Sequence, residues 1–349
     1  AWNEQIAAAQ AAVPDITWDV LNARYGECPW PPPVTPFSQY HVTGAFNAMV
    51  RRLAPFSTRG VLWYQGEEDA QRYASYRELL GCMIGEWRTL WSRRAGGDFS
   101  DSYDVGRIVA DDAARGHGAE PIADTPAASV GNEAELPFII VQLPRWIDQK
   151  EYNSGIDRMF WPHIREAQAD AARIIPDVYL AVTFDTGEFN NIHPTDKRPV
   201  GERIALQAEA HVYGLPVHAD GPAFVSLASA GETADELQVR FDNADGLHFG
   251  PWSGSDDVGH LPAVHSSESG ETEPLWTVNR CDAAASGFEI AGSDGIYHRA
   301  DARIEADTVV LHADAVSHPI CARYGWFSWG PAPLFNAFGL PAAPFRIHK

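Results

Sequence analysis

Residues 61–69 read Val-Leu-Trp-Tyr-Gln-Gly-Glu-Glu-Asp, an apolar run that stops at a glycine and continues into carboxylates. The run has the length and composition of a buried strand, and Gly66 predicts a turn at its carboxyl end. In open α/β sheets the carboxyl ends of the strands form the edge at which ligands bind. The stretch therefore predicts an α/β sheet with Gln65, Glu67 and Glu68 at its functional edge.

A second polar turn follows another predicted strand, residues 178–184. Residues 185–194 read Asp-Thr-Gly-Glu-Phe-Asn-Asn-Ile-His-Pro, and a helix is predicted after them. Because both turns lie at strand ends, we expect His193 to project over the same edge as Gln65. A histidine in that place can take a proton from a hydroxyl nucleophile and return it to a leaving alcohol.

The segments between and after these turns alternate between strand and helix patterns. Apolar residues recur at spacings of three and four over residues 76–91, and residues 137–143 are a continuous apolar run. Further helices are predicted over residues 161–172 and 197–212. This alternation predicts a mostly parallel, doubly wound sheet within residues 1–214.

Beyond Gly214 the pattern changes to short predicted strands separated by Gly, Asp and Asn turns. Residues 215–349 therefore predict an all-β domain, most simply a sandwich. Residues 95–135 are rich in Gly, Ala and Asp and have little periodicity, so they predict a surface insertion in the first domain. The predicted fold class is α/β followed by an all-β domain.

The 349-residue chain has a formal net charge of −21 and a pI near 4.9. No basic stripe for phosphate binding is visible, so we expect no nucleic-acid partner. An acidic protein also repels anionic substrates, and an acidic sugar would need a local cluster of arginines or amides. No stretch approaches the roughly 20 apolar residues of a membrane-spanning helix.

The four cysteines are too few and too widely spaced for a disulfide scaffold or a Cys-x-x-Cys zinc site. We expect reduced structural thiols, with Cys82 buried on the apolar side of its helix. The spacing of the histidines and nearby acids after residue 192 fits no compact metal site.

Gln65 and the nearby carboxylates are candidates for specific roles in hydrolytic chemistry of the kind that His193 could catalyse. The side-chain amide of Gln65 can donate to a developing oxyanion, and such a donor contributes about 3 kcal/mol in the transition state. Three carboxylates compete to orient His193 and stabilise its protonated ring, namely Glu67, Asp185 and Glu188. We favour Glu67, with Asp185 second.

Two blocks of the sequence resemble signature blocks of the sialate O-acetylesterases, which are SGNH-type serine esterases. The blocks are Trp63-Tyr64-Gln65-Gly66-Glu67 and His193-Pro194-x-Asp196-Lys197. Other matching segments follow in the family's order over nearly the whole chain: Asn47-Ala48-Met49, Tyr76-Arg77, Trp87-Arg88, Val141-Gln142-Leu143, Arg165-Glu166-Ala167-Gln168 and Pro341-Ala342-Ala343-Pro344-Phe345-Arg346.

The resemblance implies an SGNH-type fold and hydrolysis of O-acetyl esters of sialic acid or a sialoglycan, with no cofactor. It implies that His193 is the general base and that Gln65 donates to the oxyanion. Many related esterases have an Asp three residues before the histidine, where this chain has Asn190, which holds no charge. Four side chains are candidates for substrate contacts: Asn47, Gln142, Arg145 and Arg165.

The family's Gly-Gln-Ser-Asn segment, which bears the nucleophile, does not occur in the sequence. The contexts of Ser253, Ser255 and Ser328 are not strand-to-helix elbows. Ala1-Trp2 resembles the pair that follows the serine-bearing portion in the family. We therefore expect a companion N-terminal chain or segment that carries the serine. The alternatives are an acetylxylan-type esterase and a non-catalytic carbohydrate-binding protein with a degenerate esterase fold.

Overall fold

The computed structural model describes residues 2–13, 16–26, 42–54, 56–92, 136–231, 234–250, 276–277 and 279–347. The insertion predicted over residues 95–135 lies outside these ranges. The described chain forms two compact units, one that ends at Ser57 and one that begins at Thr58. Every helix in the described ranges is too short or too polar to span a membrane.

The first unit is helical. Helix α1 spans Trp2–Ala12, as its composition predicts, and α2 spans Trp18–Tyr25, which the sequence analysis did not predict. The two helices share a small core of Ile6, Ala9 and Leu21. A π-helical turn, Phe46–Val50, then leads into the short helix α3 at Arg51–Leu53.

The second unit begins with a three-stranded parallel sheet in the order β1-β2-β3. The strands are β1 (Val61–Trp63), β2 (Phe138–Val141) and β3 (Val178–Ala181). The connecting helices, in chain order, are a 3-10 helix (Glu67–Arg72), α4 (Tyr73–Ser92), α5 (Gln149–Ser154), α6 (Phe160–Ile174) and α7 (Arg198–Gln207), the last extended by a π-helical turn (Ala208–Val212). The register pairs Val61 with Phe138 and Phe138 with Val178.

The apolar stripe of α4 explains how this helix packs. Its residues Tyr76, Leu80 and Ile84 are buried in one core with β2 and α6. A buried side chain of this size contributes about 1.5–3 kcal/mol relative to an exposed one. Cys82 is exposed, contrary to the expectation, because it lies about 200° around the helix from Leu80.

Antiparallel strands make up the rest of the chain. A six-stranded sheet has the order β4-β5-β12-β11-β8-β7, a four-stranded sheet has the order β10-β9-β13-β15, and β14 pairs with β6. The strands are β4 (Ala223–Ala230), β5 (Glu236–Asp242), β6 (His248–Phe249), β7 (Trp276–Thr277), β8 (Arg280–Cys281), β9 (Phe288–Ala291), β10 (His298–Arg299), β11 (Asp301–Glu305), β12 (Thr308–His312), β13 (Cys321–Tyr324), β14 (Leu334–Phe335) and β15 (Phe345–Arg346).

Both larger antiparallel sheets contribute to one core, which contains Phe241 from β5 and Phe288 from β9. Phe184, three residues beyond β3, is fully buried in the same core. The order of structural classes is therefore the predicted one, a parallel sheet with helices followed by antiparallel sheets. The boundary at residues 214/215 stays a prediction, since both regions belong to the unit that begins at Thr58.

Candidate active site

The turn after β1, residues 64–69, is called the Gln65 turn. Gly66 has a φ of +154°, and a Cβ there would lie 2.9 Å from Cγ2 of Ile164. A larger residue would therefore combine an unfavourable φ with a steric clash. The glycine that marked this turn in the sequence is required by its close packing on α6.

Two buried side chains hold the backbone of the Gln65 turn. The carbonyl oxygen of Gln65 accepts hydrogen bonds from the Tyr76 hydroxyl at 2.8 Å and from Nε2 of Gln168 at 3.0 Å. Oε1 of Gln168 in turn accepts from the backbone N–H of Leu143 at 2.9 Å. Gln168 thus ties the Gln65 turn to the chain that follows β2.

The side chain of Gln65 has a partner that the sequence analysis did not consider functional. Its Nε2 donates to Oδ2 of Asp69 at 2.8 Å, and Oδ1 of Asp69 accepts from Nη2 of Arg72 at 2.9 Å. A side-chain amide has two N–H donors, and Asp69 uses one of them. The i, i+4 spacing of Gln65 and Asp69 is the only sequence signal for this contact.

The turn after β3, residues 185–195, is called the His193 turn. Glu188 organises it, because its carboxylate accepts from Nδ2 of Asn191 and from Oγ1 of Thr195, both at 2.6 Å, and from the Thr195 backbone. The hydrogen bonds from Thr195 lower the pKa of Glu188 below its usual value. The side chain of His193 is exposed, and its backbone N–H donates to Oδ1 of Asn191 at 3.1 Å.

Asn190, which occupies the position of the family's usual acid, anchors the His193 turn to the chain before α5. Its Oδ1 accepts from the backbone N–H of Gln149 at 2.8 Å, and its own N–H donates to the carbonyl of Ile147 at 3.0 Å. Gly187 fits closely against the same region, because a Cβ there would lie 2.1 Å from the carbonyl oxygen of Arg145. The turn is thus fixed at several points around His193.

Asp185 is engaged by an arginine. Oδ1 and Oδ2 of Asp185 lie 2.5 and 2.7 Å from the two Nη atoms of Arg203, and both side chains are largely buried. Among the described residues, no hydrogen bond joins His193 to Asp185, Glu67 or Glu188. The identity of the orienting acid therefore stays a prediction, and the bidentate pair with Arg203 leaves Asp185 a weaker candidate than Glu67.

The two turns meet at one cavity of about 290 Å³. Glu67 and Glu68 line it from the Gln65 turn, and Ile192 lines it from the His193 turn. A contact also joins the Gln65 turn to the residue before α7, since Nζ of Lys197 lies 3.4 Å from the Tyr64 hydroxyl and 5.1 Å from the centre of its ring. The structure thus places residues of the two turns around one cavity, and the approach of the Gln65 and His193 side chains to each other stays a prediction.

Three of the predicted substrate-contact residues, Gln142, Arg145 and Arg165, have no exposed surface. Arg165 donates to the carbonyls of Gly325 (3.2 Å) and Phe327, and Arg145 donates to those of Gly330 (3.1 Å) and Asp185 (2.8 Å). Burial lowers the pKa of Arg145 to about 10 and that of Arg165 to about 9, so both remain charged at neutral pH.

These arginines hold the segment 325–330 against the carboxyl edge of the parallel sheet. Their guanidinium groups bond backbone carbonyls of the interior, and a substrate cannot reach them in this conformation. The expectation that they and Gln142 contact substrate is thus corrected to an interior role. Asn47 lies in the first unit, where its Nδ2 donates to Oγ1 of Thr43 at 3.2 Å, and its substrate contact stays a prediction.

Ser328 lies in the same segment and lines the cavity. Its hydroxyl donates to Oδ1 of Asp157 at 2.7 Å, and its backbone N–H donates to Oδ2 of that residue at 2.6 Å. An acid that accepts both bonds fixes the segment and does not activate a nucleophile, which needs a base free to take its proton. Ser253 and Ser255 lie outside the described residues.

Comparisons with known proteins agree with this geometry. Curated proteins named sialate O-acetylesterase from Homo sapiens and Rattus norvegicus are 25% and 26% identical to the chain over 174 and 215 residues, which is 48% and 57% of this chain. The matched regions cover 27% and 33% of those proteins, so the chain spans about a third or less of the relatives it matches. No family model matches the chain.

A solved structure is also similar. It is a carbohydrate acetylesterase from Xanthomonas citri, 28% identical, with a TM-score of 0.59 over 87% of this chain and 54% of the neighbour. The matching sequences are acetylesterases, and the similar fold belongs to an enzyme of the same class. These similarities, together with the two turns, support a relationship of the chain to the sialate O-acetylesterases and to SGNH-type esterases.

Proposed function

We propose that this chain forms the histidine-bearing part of a carbohydrate O-acetylesterase that works by a serine/histidine mechanism. The observation that carries the proposal is the cavity at which the Gln65 and His193 turns meet. Glu67 and Glu68 line it from one turn, and Ile192, the neighbour of His193 in sequence, lines it from the other, at the carboxyl edge of a parallel sheet, where α/β enzymes bind their substrates. The names of the matched relatives support the class of reaction.

In the proposed reaction a serine hydroxyl attacks the carbonyl carbon of the acetyl ester while His193 takes the hydroxyl proton. The second N–H of the Gln65 amide donates to the oxyanion of the tetrahedral intermediate. The C–O bond to the sugar then breaks, and His193 returns the proton to the sugar oxygen. His193 then takes a proton from water, the resulting hydroxide attacks the carbonyl carbon of the acetyl-serine, and the proton passes to the serine oxygen as its bond to the acetyl group breaks and acetate leaves.

The serine is proposed to lie on a companion N-terminal chain or segment. Its strand would extend the three-stranded sheet into the doubly wound SGNH-type sheet that the resemblance implies. Strand β1 lies at an edge of the described sheet, and Leu62 on this strand is exposed. An unpaired sheet edge is a site at which a further strand adds.

Labelling with a fluorophosphonate probe, followed by mass spectrometry, tests the proposal. We expect the label on a serine of a co-purifying or covalently continuous N-terminal segment, and acetate release by the labelled material should be abolished. A folded, monodisperse chain that hydrolyses 4-nitrophenyl acetate without any such segment would contradict the split site. Sugar binding without any labelled serine would favour the alternative of a non-catalytic carbohydrate-binding protein.

Two O-acetylated sugars are candidate substrates of the proposed reaction. The names of the curated relatives point to O-acetylated sialic acid or a sialoglycan. The acetylxylan-type alternative shares the same chemistry, and the structural neighbour is named only as a carbohydrate acetylesterase. Acetate release from O-acetylated sialic acid and from acetylated xylan, measured on the same preparation, separates the two.

A further inference from the structure

Helix α7 and the His193 turn are joined at two places. The turn begins at Asp185, whose two carboxylate oxygens accept hydrogen bonds from Arg203 of α7. Arg203 also donates to the carbonyl of Val182 at 3.0 Å, directly after β3. At its other end the turn leads into the helix, which begins at Arg198. A shift of α7 therefore carries the whole turn with it.

The short link between His193 and α7 is also fixed. Pro194 is buried, and a proline has little freedom in φ. Thr195 donates to the carboxylate of Glu188 through both its hydroxyl and its backbone N–H. The backbone position of His193 therefore follows from the position of the helix.

Two cationic side chains connect α7 and its extension to the two ends of strand β1. At the carboxyl end, Nζ of Lys197 lies 3.4 Å from the Tyr64 hydroxyl and 5.1 Å from the centre of its ring. At the amino end, Nη2 of Arg59 donates to the carbonyl of Val212 at 3.1 Å, and its Cζ lies 5.5 Å from the centre of the Tyr213 ring. The two contacts are alike in chemistry, but only the first lies at the edge of the sheet that carries the proposed site.

The contact between Lys197 and Tyr64 links the neighbour of Gln65 to the helix that carries His193. Strand β2 separates β1 from β3, so the sheet itself does not bring the two turns into direct contact. Among the described residues, this contact is the one hydrogen bond, ion pair or ring contact between residues 64–69 and residues 185–197. The buried hydrogen bonds of the Gln65 turn lead to α4 and α6 instead.

The chemistry of the contact gives it a defined geometry. Burial, and to a smaller extent the charge of Glu67, raises the pKa of Tyr64 above its usual value, so the phenol is neutral at pH 7. Its oxygen can accept from the ammonium group of Lys197, while the face of the ring attracts the same charge. One side chain thus holds the ammonium by two of its parts.

We infer that Lys197 and Tyr64 are positioning residues, which set the separation between His193 and Gln65. The inference rests on the proposed function, because it assigns the pair a role in that reaction. A general base and an oxyanion donor must each lie about 3 Å from their target atoms at the same time. A misplacement of about 1 Å can lower the rate about 100-fold, so a contact that fixes their separation affects catalysis without touching the substrate.

A double-mutant cycle on the esterase assembled with its N-terminal segment tests the inference. Lys197→Met and Tyr64→Leu should each lower kcat on 4-nitrophenyl acetate by about 10–100-fold, with KM unchanged. The double variant should lose no more than the larger of the two single losses, because both changes break the same contact. Lys197→Arg should restore most of the rate, since a guanidinium group also binds the face of an aromatic ring.

Arg59→Met is the matched control, because it breaks the corresponding contact at the other end of β1. Thermal unfolding should show a similar small loss of melting temperature in Arg59→Met and Lys197→Met, but only Lys197→Met should lose kcat. Additive losses in the cycle, or a normal kcat in Lys197→Met, overturn the inference. So does a loss of kcat in Arg59→Met as large as that in Lys197→Met, since it would reflect destabilisation of the helix in general.

A readout without turnover separates this inference from the proposed function. In NMR spectra of the 349-residue chain, Lys197→Met should shift the imidazole signals of His193 and the side-chain amide signals of Gln65, whereas Arg59→Met should shift neither. If the assembled material does not hydrolyse 4-nitrophenyl acetate, the proposed function fails and the spectra decide the positioning role. Shifts in Lys197→Met alone then support that role, and unchanged signals overturn it.

Discussion

The Gln65 turn and the His193 turn lie at the same edge of the parallel sheet, but they are built differently. Buried side chains, Tyr76 and Gln168, hold the Gln65 backbone. The His193 turn is held by its own polar residues, with Glu188 at the centre, and the imidazole is exposed. An oxyanion donor works best when it is rigid before the reaction, whereas a base must stay accessible to the group that it deprotonates.

The largest expected effect on activity concerns His193, the exposed residue of the His193 turn. His193→Ala should lower kcat of the assembled esterase by about 10³–10⁴-fold, because a positioned general base contributes up to about 10⁴. The melting temperature should stay the same, since the side chain has no buried contacts. Acetate release and thermal unfolding measure the two quantities, and His318→Ala, an exposed histidine of the antiparallel region, is the control.

Gln65→Ala should lower kcat by about 10²–10³-fold with little change in KM, because one oxyanion donor contributes that much. The variant keeps the backbone carbonyl that Tyr76 and Gln168 bond, so the fold should be retained. Steady-state kinetics on 4-nitrophenyl acetate measure the loss. A rise in KM by the same factor, with kcat unchanged, would mean that Gln65 binds the ground state and has no special role in the transition state.

Gln168→Leu tests the buried support of the Gln65 turn. It leaves the N–H of Leu143 unpaired and the carbonyl of Gln65 with its bond from Tyr76 alone, which should cost about 1–3 kcal/mol of unfolding free energy. Chemical denaturation measures this loss. Arg173→Leu, on the exposed part of the same helix, is the matched control. A stable variant with normal activity would remove the basis for calling the turn rigid.

Asp69→Asn tests the Gln65 turn more finely. It keeps the shape of the Asp69 side chain, which accepts a hydrogen bond from Gln65, and removes its charge. We expect kcat to fall about tenfold with KM unchanged, since the second amide proton of Gln65 loses its fixed direction; a tenfold change is about 1.4 kcal/mol. Asp69→Glu should restore part of the rate if the acid positions Gln65. If thermal unfolding instead shows that the variant loses about 1.4 kcal/mol of unfolding free energy, Asp69 has a structural role alone.

The smallest effect concerns pH and the His193 turn. Because hydrogen bonds from Thr195 lower the pKa of Glu188, its contribution to stability is complete above the usual carboxyl value of 4.5 and is lost as the pH falls through the lowered value. Glu188→Gln should lack this acidic component. Melting temperatures of both proteins at pH 3 to 7 measure it, and curves that run parallel over the whole range would contradict it.

Much of the fold could be predicted because short-range patterns decide it. The stripe over residues 76–91 corresponds to α4, and the two apolar runs at residues 137–143 and 178–184 correspond to β2 and β3, although both strands end earlier than predicted. The position of the two turns at one edge follows from the parallel order of the strands. These features need no knowledge of distant contacts.

The roles of single charged residues could not be predicted in the same way. Arg145 and Arg165 have the composition of substrate-binding residues, but their partners are carbonyls in the segment 325–330, some 160 to 185 positions away. No local pattern reports such a pairing. Asp69 was missed for the opposite reason, since its partner lies one turn away but three acids occur in a row.

The segment 325–330 also limits how this protein can change. Phe184 fills the core of the antiparallel region, and a Cβ on Gly325 would lie 2.5 Å from its ring, while two arginines of the sheet region hold the same segment from the other side. Exchanging the sheet region or the antiparallel region for that of a distant homologue would disrupt these contacts. The guanidinium groups of Arg145 and Arg165 would be buried without acceptors, or the ring of Phe184 would lose the space in the core that it fills. Recombination between relatives should therefore succeed only when both regions are inherited together.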